Sequence, residues 1–173
     1  MGIEDMHLTA TEVDQLEATF GQTIARVFCP QASIFPFHIE AYSYIVWLNN
    51  MSDFVSIYVE ELTDNSGRIR VARGDQPIGV IYDPDPLTGG VRGCSEIWLN
   101  PWPTLAGASV FADAHQDVAI ALSSAEESSF TILLEYPDLC FYRGVPEQLS
   151  GLTPRLILGK AIPNPSFNTG AAR

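Results

Sequence analysis

Asp113-x-His115-x-Asp117 places two carboxylates around an imidazole at alternating positions. On an extended backbone the three side chains point one way, as a metal ion requires; on a helix they fan out over about 200°. Held together, His115, Asp113 and Asp117 would carry an ion that activates water, the chemistry of a small metal-assisted hydrolase. His38-x-Glu40 repeats the spacing, and a third ligand from elsewhere would complete a zinc or iron site. Short pairs of this kind also arise by chance at strand ends, where the imidazole bonds backbone or water. The expectation is therefore no metal and no cofactor, with the hydrolase kept as an alternative.

Other candidates are weaker. Asp83 and Asp85 are spaced to share a divalent cation, but both precede prolines and two glycines follow, which is turn chemistry. Gly89, Gly90 and Gly93 open no helix and lack a following Gly-Lys-Ser/Thr, so they make no phosphate cradle. Cys29, Cys94 and Cys140 are an odd number, with no C-x-x-C pair, and read as thiols in a reducing compartment. Ser109 lacks the second glycine of a nucleophile elbow, Phe111 standing in its place. Arg68 and Arg70 fall on one strand face opposite Glu60, which predicts cross-strand salt pairing.

Binding leaves a broader trace than catalysis. Residues 1–67 hold ten carboxylates against one base, Arg26, a formal −9 of the chain's −12. Like charge gathered this way repels itself and calls for a use, such as steering a basic partner. Glu12, Asp14, Glu17, Glu60, Glu61 and Asp64 are the expected contacts. Trp98 and Trp102 lie in a proline-bearing stretch, large and stiff, and are expected to contribute apolar anchoring.

Composition limits the alternatives. With 173 residues, 46% hydrophobic and 17% charged, the chain has enough apolar surface to fold as one domain over residues 1–162. Residues 163–173 read as a mobile tail. The acidic balance argues against nucleic acid and against anionic membrane surfaces. No basic-plus-apolar leader and no bilayer-length apolar run is seen, so the expected location is the cytoplasm.

The elements that would position these residues are one helix and many strands. Thr9-x-x-Glu12 is a capping box, and Val13, Leu16, Phe20, Ile24 and Val27 recur at helical spacing, predicting an amphipathic helix over residues 10–28. Alternating runs predict strands over 42–48, 54–62, 67–73, 78–82, 95–99, 118–122, 130–136 and 155–161. Residues 54–73 read as a hairpin turning at 63–67, and 100–116 is undecided. The expected fold is α+β: the helix packed on a mainly antiparallel, strongly curved sheet of about seven to nine strands.

These readings favour a cytosolic protein-binding module, of the type of an immunity or inhibitor protein neutralising a basic toxin or enzyme. An enzyme is the lesser expectation. A β-rich small-molecule binder, its pocket lined by Tyr42, Tyr44 and Trp47, is the other alternative. No motif points to a known family, and self-association is left open.

Overall fold

The computed structural model describes residues 6–48 and 53–161. The expected tail at 163–173 lies outside them. Strands dominate, in two antiparallel sheets that share one core. The first has the order β6-β5-β4-β1-β7, from β1 (Ile24–Pro30), β4 (Ser43–Leu48), β5 (Phe54–Glu61), β6 (Gly67–Gly74) and β7 (Cys94–Ile97). The second has the order β12-β8-β9-β10-β11-β3-β2. Its strands are β2 (Ser33–Ile34), β3 (Ile39–Ala41), β8 (Leu105–Ala112), β9 (Asp117–Ser124), β10 (Ser129–Glu135), β11 (Asp138–Arg143) and β12 (Pro154–Gly159). The single strongly curved sheet gives way to two sheets, neither strongly curled, because the twelve strands among the described residues limit their exposed edges better by splitting.

The core explains the apolar runs. Tyr44, Val46 and Leu48 of β4 point between the sheets, while Ile45 and Trp47 point outward beneath residues 75–93, which contribute Val80, Tyr82 and Val91. Residues 78–82 thus cover a sheet face rather than forming a strand. On the outer face of the second sheet, Ala119 and Ala121 leave room for Leu149, Val145 and Leu152. Strands covered on both faces lose their polar alternation, so the apolar runs are nearly continuous.

The helix α1 spans only Ala10–Glu17, held by the expected capping box. Residues 24–28 belong to β1 instead. Ile24 and Val27 both enter the core despite their helical spacing, because a register shift between Ile24 and Arg26 inserts a bulge. Two residues then oppose one on the partner strand, and side chains three apart share a face. The turn that follows α1 closes at Gly21, with a φ of +87°, whose N–H donates to Leu105 O at 2.7 Å.

The undecided stretch 100–116 contains β8, a central strand paired with β9 and β12. A Cβ on Gly107 would overlap the Lys160 backbone, so glycine is what lets β12 lie against β8 at that point. The hairpin of β5 and β6 forms as predicted, with Glu60 opposite Arg68. Arg68 Nε donates to Glu60 Oε2 at 2.7 Å.

Candidate functional site

Two neighbouring features of the second sheet's β2 edge offer the most chemistry: a polar cluster across β3 and β11, and an apolar rim beside it. Glu40 lies directly opposite Cys140 in the β3–β11 register. His38 precedes Glu40 by two residues, and its Nε2 lies 3.0 Å from Glu40 Oε1. The ligand atoms of His38, Glu40 and Cys140 all fall within 4.8 Å of one another. The imidazole is fixed between two rings, stacking on Phe35 at 4.8 Å and on Tyr142 at 5.4 Å between centroids.

Burial holds two groups here, the Cys140 thiol and the Tyr142 hydroxyl, in their protonated forms. Burial pushes the Cys140 thiol up to about 12, and the Glu135, Glu40 and Asp138 carboxylates add to the effect. Tyr142 rises to about 12, first by burial and then through Glu135. A thiol raised this far is a poor nucleophile.

The rim lies beside the cluster. Ile34, Phe35, Pro36, Phe37, His38, Ile39, Phe141 and Arg143 line an open groove of about 360 Å³. Ile34 is 74% exposed and Phe37 87%. Arg143 Nη2 donates to Trp98 O at 2.6 Å, joining the groove to the tryptophan loop. Trp98 is 67% exposed, whereas Trp102 packs against the core, their ring centroids 6.0 Å apart.

The expected acidic contacts divide into two groups. Glu12 is only 5% exposed and faces inward: Val71 N–H donates to its Oε1 at 2.9 Å, and Arg70 Nε lies 3.1 Å from the same oxygen. Glu60 pairs with Arg68 and Arg70, and the hydrogen bond from Arg68 holds its carboxyl below the usual range. Asp14, Glu17, Glu61 and Asp64 stand exposed, Asp64 also accepting from Ser66. Three of the ten carboxylates read along residues 1–67, Glu12, Asp53 and Glu60, are therefore paired across the β5–β6 hairpin and α1. Arg68, Arg70 and Arg73 follow Gly67 in the chain and fold back on Glu60, Glu12 and Asp53.

The alternative metal set is dispersed. Asp113 accepts the N–H groups of His115 and Gln116 at 2.7 and 2.9 Å, forming a turn. His115 is exposed. Asp117 is buried and clamps three segments together, accepting from Leu8 N–H at 2.7 Å and from Arg155 Nη2 at 2.6 Å, with His7 Nδ1 at 2.9 Å. These three side chains serve separate local structures. The pocket expected from Tyr42, Tyr44 and Trp47 does not form either. Tyr44 is buried with its hydroxyl donating to Leu139 O at 3.0 Å, Trp47 faces the opposite side of β4, and Tyr42 precedes the strand.

The sequence did single out His38-x-Glu40 with a distant third ligand. No local pattern marks β11 or points to Cys140, and the β3–β11 pairing is what brings residues a hundred positions apart together. Compared with known protein families, curated proteins and solved structures, the chain matches none.

Proposed function

We propose that this chain is a cytosolic protein-binding module that captures a basic partner through the apolar rim of the β2–β3 hairpin and the groove beside it. The carrying observation is the exposure of Ile34 and Phe37 at the free β2 edge, beside a groove of about 360 Å³. Large apolar side chains at a sheet edge are an aggregation liability that native chains normally blunt, so their presence marks a contact surface. Trp98, held to the groove by Arg143, adds a stiff anchor of the kind that dominates binding energy.

Charge supports a basic partner. The formal charge is −12, and Asp14, Glu17, Glu61 and Asp64 stay exposed after the internal pairing is satisfied. A field of this sign speeds encounter with a cationic surface and repels acidic competitors. An inhibitor or immunity protein for a basic toxin or enzyme has this combination. The three free cysteines suit a reducing compartment, and no helix among the described residues is long and apolar enough to cross a membrane.

The test is capture from the native cell, followed by the same capture with Ile34→Ser and Phe37→Ser combined. A basic protein retained by the wild-type chain, lost with the double variant and eluted by moderate salt supports the proposal. Capture indifferent to both substitutions and to salt overturns it.

A further inference from the structure

We propose that His38, Glu40 and Cys140 bind one thiophilic divalent cation of the Zn²⁺ class, and that this ion pins the β2–β3 hairpin to β11. The donors are an imidazole nitrogen, a carboxylate oxygen and a sulfur, a set that selects zinc-like ions over magnesium or calcium. Strand pairing fixes two of them, Glu40 facing Cys140 across the ladder, while His38 sits just ahead of β3 in the β2–β3 turn, where its carbonyl accepts the Phe35 N–H at 2.9 Å.

The distances suit a modest closure. The three ligand atoms lie within 4.8 Å of one another, and zinc bond lengths place tetrahedral ligands about 3.3–3.8 Å apart. The ring stacking of His38 between Phe35 and Tyr142 limits the motion needed, since the imidazole already has its plane set. Cys140 is buried, while His38 and Glu40 keep partial access to solvent. The ion therefore enters from the groove side. As the metal–sulfur bond forms, the thiol proton leaves to solvent, and thiolate plus carboxylate balance the ion's two charges. Water or Glu135, whose carboxylate adjoins the thiol, takes the remaining position.

The experiment is titration of the reduced full chain with Co²⁺ as a spectroscopic probe, followed by Zn²⁺. We expect one Co²⁺ per chain, a near-ultraviolet thiolate-to-cobalt charge-transfer band, and loss of that band when Zn²⁺ displaces the probe. Cys140→Ser abolishes the band, while Cys94→Ser and Asp113→Asn keep it. His38→Gln and Glu40→Gln each weaken binding by more than about tenfold, the loss already produced by removing an outer partner of a metal ligand. If Cys140→Ser fails to fold, these two partly exposed positions decide the question. Folded wild-type protein without the band overturns the proposal, as does a band that survives in folded Cys140→Ser. Unchanged affinity in both His38→Gln and Glu40→Gln overturns it as well.

Discussion

Glu12 Oε1 accepts the backbone N–H of Val71 at 2.9 Å, so a helix side chain takes the place of a neighbouring strand. β6 is the outer strand of its sheet, and its N–H groups would otherwise be open to another chain. Gln15 Oε1 accepts the next available donor, Arg73 N–H, at 3.3 Å. Meanwhile Glu12 Oε2 completes the capping box with Thr9. One carboxylate thus starts the helix and seals the sheet.

Glu12→Ala should therefore destabilise the fold by about 2 kcal/mol, the sum of a lost cap and a buried donor left unpaired. Asp14→Asn and Glu17→Gln together should stay within about 0.5 kcal/mol, since both are exposed. Urea unfolding of Glu12→Ala and of the combined Asp14→Asn/Glu17→Gln variant checks this. Equal effects in the two would deny Glu12 its inward role.

Asp117 should give the fold an acid-sensitive clamp. Burial alone would raise its carboxyl; the Arg155 hydrogen bonds, the Leu8 N–H and His7 outweigh that and hold it below its ordinary 3.8. A depressed folded value means the stabilisation is complete above the unfolded pKa and is lost as pH falls through the folded one. Asp117→Asn should cost about 2–3 kcal/mol near neutral pH, at the low end for a broken buried pair because Arg155 keeps partial contact with water. The deficit against wild type should shrink steadily below about pH 4. Thermal unfolding across pH measures it.

The cysteines should differ in reactivity. Burial pushes Cys29 up to about 12, with Cys94 adding a little, and Cys140 also to about 12. Cys94 is raised less and is partly exposed. At mildly alkaline pH, alkylation of the native chain should label Cys94 first, with Cys29 and Cys140 reacting only on unfolding. Peptide mass spectrometry over a time course reads the order.

Local chemistry was legible in the sequence where the signal was short-range. The Thr9–Glu12 box, the β5–β6 hairpin and the Glu60–Arg68 pairing all follow from residues near one another, and all form. The helical spacing runs on past the real helix because a bulge in β1 copies it at Ile24 and Val27. Between a short helix and an extra strand, the pattern over 100–116 does not decide, because Gly107, Ala108 and Ser109 carry little β signal; the place of β8 comes from pairing on both sides. Charge pairing is hidden from the sequence for a related reason. A count along the chain cut at Gly67 separates Glu12, Asp53 and Glu60 from the arginines that neutralise them. Likewise, Cys140 joins His38 and Glu40 only through strand order, which no local pattern encodes.

The rim at Ile34 and Phe37 is the surface on which the binding proposal rests, and its removal is the most direct test. With the captured partner in hand, association and dissociation rates should be measured for wild type and for Ile34→Ser/Phe37→Ser, alongside thermal unfolding of each. The expected result is an affinity loss of at least about 30-fold, carried mainly by faster dissociation, with an unchanged unfolding midpoint. Equal rate constants for the two proteins would contradict the account.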